Sequence, residues 1–220
     1  VEPIQGILDF LPSLLQGAIV TLQVTLLSIV LALLLSFAAG FGRLSGYRLV
    51  RWCTAVYVEV FRGTSLLIQL FWLYFALPML LDVRLSTMTV AILALGLNYG
   101  AYGSEVVRSS IRSVPQGQIE AAIALNMTPR QRMQRVILPQ AWRMMLPAFS
   151  NLQIELLKGS SLVYLITLAD LTYQGMILRS YDSSSTTEIL TLLLIIYFVI
   201  AYLMTLGIRY LERRASVGRL

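Results

Sequence analysis

Residues 14–39 read LLQGAIVTLQVTLLSIVLALLLSFAA, a run without one charged side chain. About 20 helical residues cross the hydrocarbon core of a bilayer. A helix that is apolar all round belongs in a core or in lipid, so this stretch is read as a membrane span. Residues 189–208 and 64–81 are equally free of charge. Residues 88–107 make a further candidate, with Glu105 near its end. Residues 141–157 are weaker, because Pro147 is expected to break the run and Arg143, Asn151 and Glu155 lie within it. The expected fold is an all-α membrane protein of about five transmembrane helices. Residues 162–168 are too short to cross and lead to Asp170. They read as an interfacial or re-entrant piece.

Composition agrees. The 220 residues are 57% hydrophobic and 13% charged, whereas soluble domains carry about 25% charged residues. The balance is basic, with 17 Lys and Arg against 11 Asp and Glu. A nucleic-acid-binding protein would have the same sign, so placement decides. With the N-terminus outside, five spans leave Arg84, Lys158 and Arg179 outside. The other 14 basic residues fall inside, Arg213, Arg214 and Arg219 among them. Basic residues collect on the cytoplasmic side of membrane proteins, where anionic lipid heads attract them. Topology thus accounts for the charge, the C-terminus is expected inside, and no nucleic-acid partner is expected.

Several chemistries are missing. There is no histidine, which removes His triads, His metal sites and His proton relays. Cys53 is alone, so no internal disulfide can form. Lys158 is the only lysine, and Gln153 stands five residues before it where a phosphate-binding loop needs Gly. No cofactor, metal or ATP site is expected, and any ATP must be bound by another subunit. The first residues show no basic region, short apolar core and small-residue cleavage site, so no signal peptide is expected.

Within the spans, Ala18, Thr21, Thr25, Ser28, Ala32, Ser36 and Ala39 recur at steps of three or four. Gly96, Gly100 and Ser104 recur at four. Small stripes of this kind let helices approach closely in lipid. Two other faces are polar. Asn98, Tyr102 and Glu105 share one side of the third span; Pro147, Asn151, Glu155 and Lys158 share one side of the fourth. Polar groups at membrane depth face a bundle interior or a wet cavity, so the two faces are candidates for a path. The alternative is a Glu155–Lys158 pair that neutralises itself near the outer surface.

The longest inside segment, residues 108–143, is patterned. Pro115-Gln116-Gly117 marks a turn, and residues 118–125 read as a short helix. Asn126 stands where a helix C-terminus takes Gly or Asn in a left-handed conformation. Thr128-Pro129 opens a second helix as N-cap and first position, and Leu138-Pro139 is expected to end it. Two short helices around a fixed bend make a rigid cytoplasmic knob.

This segment resembles the permease family of binding-protein-dependent ABC importers. Glu120-Ala121-Ala122, then Asn126, Val136 and Leu138-Pro139 match the spacing of the family signature, with Asn126 in place of Gly. Phe61-Arg62-Gly63-Thr64, Glu105-Val106-Val107-Arg108 and Leu157-Lys158-Gly159-Ser160 look like the branch that moves polar amino acids. Ser65, Asn126 and the run Phe71-Trp72-Leu73-Tyr74-Phe75 are most similar to permeases for the compatible solutes ectoine and hydroxyectoine. The resemblance implies a type I importer transmembrane domain over residues 17–209. An N-terminal extracytoplasmic segment (1–16) and a cytoplasmic tail (210–220) would flank it, in a bacterial plasma membrane. It also implies partners: a cytoplasmic ABC ATPase, an extracytoplasmic solute-binding protein, and a second permease chain, identical or different. Residues Glu120 to Leu125 would form the helix that couples to the ATPase, supported by Asn126, Val136, Leu138 and Pro139.

Three rivals are weaker. An ion-coupled secondary transporter usually shows internal repeats, and none is visible. A membrane enzyme lacks candidate chemistry. A plain channel leaves the knob unexplained.

Overall fold

A computed structural model describes the backbone of residues 2–216 and the side chains of residues 10–210. Arg219 therefore lies outside the described residues, as do the side chains of Arg213 and Arg214 and the last four residues of the expected tail. Helix α1 (Glu2–Arg43) contains the first expected span, α5 (Thr87–Arg112) the third and α10 (Thr186–Ser216) the fifth. Each is long and apolar enough to cross alone. No strand occurs among the described residues.

The most extensive helix contact joins α1 to α5. The small residues Ala18, Thr21, Thr25, Ser28, Ala32, Ser36 and Ala39 are all buried. A Cβ on Gly96 would lie 2.5 Å from Leu31, and one on Gly103 would overlap Ser36. Lipid tails are as apolar as leucine, so close backbone approach and dispersion hold such helices together. The stripes are thus packing surfaces.

The second expected span is more complex. Residues 43–62 were expected as a cytoplasmic connector, yet helix α2 (Arg48–Gly63) fills most of it. The chain then turns by 106° into α3 (Leu66–Phe71), which continues through a π turn (Trp72–Ala76) into α4 (Leu77–Leu81). The run Leu66–Leu81 is only about 24 Å long at 1.5 Å per residue, short of a bilayer core of about 30 Å. It passes as a span only together with α2. At the elbow, Thr64 and Ser65 are extended, which leaves carbonyls at the end of α2 without helical partners.

After α5 come α6 (Gln116–Ala124), α7 (Pro129–Arg132), a π turn (Met133–Ile137) and α8 (Leu138–Ser160). Leu138-Pro139 does not end the helix, contrary to expectation. A proline has no N–H to give the carbonyl four residues back and presses its ring on that carbonyl. The π turn widens the helix there, so Leu138 N–H bonds to Met133 O, five residues back. The first π turn ends in the same way before Leu77-Pro78, with Leu77 N–H on Trp72 O. Pro147 does not break α8 either. Membrane helices tolerate internal proline where neighbouring groups take up the freed carbonyl.

Residues 162–168 fall mostly in a 3-10 helix (Ser161–Ile166), and an unanticipated helix α9 (Leu171–Tyr181) follows. Asp170, fully buried, caps α9 by accepting from Tyr173 N–H at 2.9 Å. Thr21 on α1 accepts from Leu171 N–H at 3.0 Å, and a Cβ on Gly17 would lie 2.7 Å from Asp170 O. Pro129–Ile166 and α9, bent by 50° to one another, are together long and apolar enough to cross.

Candidate functional site

The knob is built from local signals. Helix α6 ends in two reversed backbone bonds, Met127 N–H to Ala122 O at 3.1 Å and Asn126 N–H to Ile123 O at 2.9 Å. This is the Schellman geometry, which needs a left-handed residue, and Asn126 supplies it with φ 54°. Thr128 and Gln131 then form a reciprocal capping box at the start of α7. Both helices are fixed by their own sequence, and α6 rests on the π turn Met133–Ile137.

That packing divides the signature residues. Ala122 is only 3% exposed within this chain, so its small size is already required by the knob itself. Val136 and Leu138 are half-buried. Glu120, Ala121, Leu125, Asn126 and Pro139 are exposed. Ile123 and Leu125 present 52% and 73% of their surface, an apolar face beyond the helix bundle.

The path candidates on α5 have distinct surroundings. Asn98 is buried at the elbow. Its amide donates to Phe61 O at 3.1 Å and to Gln69 Oε1 at 3.0 Å. Gln69 in turn donates to Phe61 O at 2.9 Å and Thr64 Oγ1 at 2.7 Å. Two side-chain amides therefore replace the helical partners that Phe61 O lost at the bend. Glu105 takes Arg43 Nη1 at 2.6 Å and both ends of the Arg108 guanidinium, with Arg62 Nη1 at 4.0 Å. Arg43 also lies 4.0 Å from Glu59. The side chain of Tyr102 is exposed, with the Arg62 guanidinium 5.3 Å above its ring, an arrangement favoured by the ring quadrupole.

On α8, Asn151, Glu155 and Lys158 are all exposed. Among the described residues Glu155 and Lys158 form no ion pair; all four such contacts involve Glu105 or Arg43. The two polar faces do meet. Tyr99 donates its hydroxyl to Glu155 O at 2.8 Å, and its ring lies 6.5 Å from that of Tyr102. Gly159 makes this possible, since a Cβ there would lie 2.5 Å from the Tyr99 hydroxyl. An open polar strip thus runs from Arg62 across Tyr102 and Tyr99 to Glu155. Sequence reasoning missed Tyr99, although it lies three residues before Tyr102 on the same face. It also missed Gln69 and the Glu105 partners Arg43 and Arg62, which are distant in sequence, and Arg108, which lies only three residues on.

The pattern for binding-protein-dependent transport system inner membrane components matches residues 32–217. This chain belongs to that family. The permease is 49% identical over 216 residues to a probable amino-acid ABC transporter permease of Sinorhizobium fredii, covering 96% of this chain and 90% of the relative. It is 38% identical to the L-cystine transport system permease protein TcyB of Bacillus subtilis, covering 94% and 88%. It is 34% identical to the glutamine transport system permease protein GlnP of Escherichia coli, covering 94% of each. A crystal structure of an amino acid ABC transporter with histidines superposes with a TM-score of 0.88 at 33% identity, over 96% of this chain and 97% of that one. The inward-facing MetNI methionine ABC transporter shares the fold at a TM-score of 0.71 and 20% identity, over 98% and 99% of the two chains. The chain is thus a multi-pass inner-membrane permease subunit of a binding-protein-dependent ABC importer, with the type I fold. The family carries no ATP site of its own.

Proposed function

We propose that the permease moves a small amino-acid-like solute inward and couples to a separate ATPase through α6. The carrying observation is the knob: a helix closed at its C-terminus by the left-handed Asn126, resting on its own chain, with Ile123 and Leu125 turned outward beside Glu120 and Ala121. An apolar face on a rigid, non-membrane element suits docking into another protein. The N-terminus lies outside and the C-terminus inside, as the distribution of arginines supports. A solute-binding protein delivers outside, and a second permease chain completes the path. The strip Arg62–Tyr102–Tyr99–Glu155, with Asn151 and Lys158 beside it, presents both charge signs to a zwitterion. Asn98 and Glu105 shape this strip from behind.

Amino acids are the favoured solutes, because the relatives described above carry cystine, glutamine and other amino acids by name. Ectoine and hydroxyectoine are the finer alternative, supported by Ser65, Asn126 and residues 71–75 alone. The test is the reconstituted assembly with its binding protein in proteoliposomes, scanned with neutral, acidic and basic amino acids, cystine and ectoine. Solute-stimulated ATP hydrolysis by an amino acid supports the reading, and stimulation by ectoine alone selects the finer one. Uptake driven by an ion gradient without ATPase would overturn both.

A further inference from the structure

A groove of about 470 Å³ opens between the later turns of α1 and the start of α8. Phe37, Phe41, Leu138 and Trp142 line it, with Gln134 and Arg143 as its polar positions. The rings are organised: Phe37 stacks on Phe41 with centroids 6.3 Å apart and on Trp142 at 5.9 Å. Trp142 nonetheless remains 43% exposed. Arg143 is exposed and has no ion pair or hydrogen bond among the described residues. It differs in this from Arg43, Arg62 and Arg108, which all converge on Glu105.

We propose that this groove holds an anionic phospholipid, with an acyl chain along Phe37, Phe41 and Trp142 and the phosphate on Arg143. Arg143 lies exposed in the second turn of α8, where the knob segment meets the membrane, and an arginine at such a helix end reaches head-group level. Among the described residues nothing pairs with it, so its guanidinium is open to an external anion. A guanidinium meets a phosphate through two parallel bonds, and Gln134 adds a donor. Basic pockets between membrane helices bind anionic head groups. Tryptophan sits by preference at head-group level, which places the ring and the cation at matching depth. The volume falls in the range of about 300–1,000 Å³ typical of ligand clefts. The inference depends on the chain being embedded in a membrane and on neither the solute nor the orientation.

The test uses the intact transporter assembly. A photoreactive benzoylphenylalanine replaces Trp142 in cells, and native mass spectrometry follows retention of added phosphatidylglycerol or phosphatidylcholine. A phospholipid adduct at position 142 and preferential retention of phosphatidylglycerol are expected. Arg143→Gln should lower that retention about fivefold, as loss of one basic residue at an anionic surface implies. Arg143→Lys should keep part of it. Arg48→Gln, on exposed α2 surface away from the groove, should leave it unchanged. An adduct to a second permease or to the ATPase would overturn the proposal, as would equal retention of the two lipids or an unaltered Arg143→Gln variant.

Discussion

Glu105 carries more of the charge balance than any other side chain in the described structure. Arg43 from α1, Arg108 from α5 and Arg62 from the elbow all turn to it. With only 26% of its side chain exposed, its removal would leave partly buried cations without their acceptor. Hydrogen bonds to charged groups are worth about 1.5–3 kcal/mol each, and partial exposure reduces that. Glu105→Gln should therefore destabilise the permease by roughly 2 kcal/mol, seen as a lower unfolding midpoint in detergent. Glu155 has no ion pair among the described residues and lies open. Glu155→Gln should shift stability by less than about 0.5 kcal/mol, yet raise the solute concentration needed for half-maximal ATPase stimulation if the strip is the path. Equal destabilisation by the two variants would contradict this division of roles. Both glutamates stand out in sequence as charges within apolar runs. Their different surroundings do not, because the Arg43 partner of Glu105 is 62 residues away.

Single elements explain where reading from sequence succeeded and failed. The knob was legible because its determinants are local: Asn126 at the helix end and Thr128-Pro129 at the next start lie within a few residues of the bonds they make. Helix α2 was hidden because Arg48, Arg51, Glu59 and Arg62 interrupt its apolar positions, so no uncharged window marks it. Its elbow depends on Asn98 and Gln69, whose contact bridges 29 residues. The π turns were hidden because proline normally ends helices. The knob's own packing alters what its mutants should do. Ala122→Leu should overpack α6 against its own chain, at a cost of about 1–3 kcal/mol, and so damage the knob before any partner is met. Ala121→Leu points outward and should leave the unfolding midpoint intact while weakening co-purification of the ATPase. Asn126→Gly should be tolerated in both assays, since Gly adopts positive φ freely; Asn126→Val should fail in both, since a β-branched residue resists it. Full ATPase retention in Ala121→Leu would remove α6 as the docking helix.

For the whole molecule, the two bent pairs decide the topology. Three helices are long and apolar enough to cross unaided, and each bent pair either crosses or returns to the side it left. If the pair α2 with α3–α4 returned, α5 would run in the opposite direction and carry the knob outside. If the pair ending in α9 returned, the loop before α10 would change sides instead. Charge argues that both pairs cross. The end of α5 and the stretch from it to α8 hold Arg112, Arg130, Arg132 and Arg135, while the loop before α5 has only Arg84 and the end of α9 only Arg179. Basic residues of short loops favour the cytoplasmic side, which supports the knob inside and the other two loops outside. The measurement is labelling of single cysteines by an impermeant thiol reagent in whole cells, after Cys53, itself exposed, is changed to Ser. Val83→Cys and Ser184→Cys sit in exposed positions of the two outer loops and should react. Leu125→Cys, at the most exposed apolar position of the knob, should react only after the membrane is opened. So should Ser216→Cys, whose native side chain lies outside the described residues. Labelling at 125 but not at 83 would make the first pair re-entrant and leave α6 on the wrong side for any cytoplasmic ATPase. Protection at 184 with labelling at 83 would make the second pair re-entrant and put the C-terminus outside. Only five crossings place every arginine-rich segment, the knob and the C-terminus on one side together.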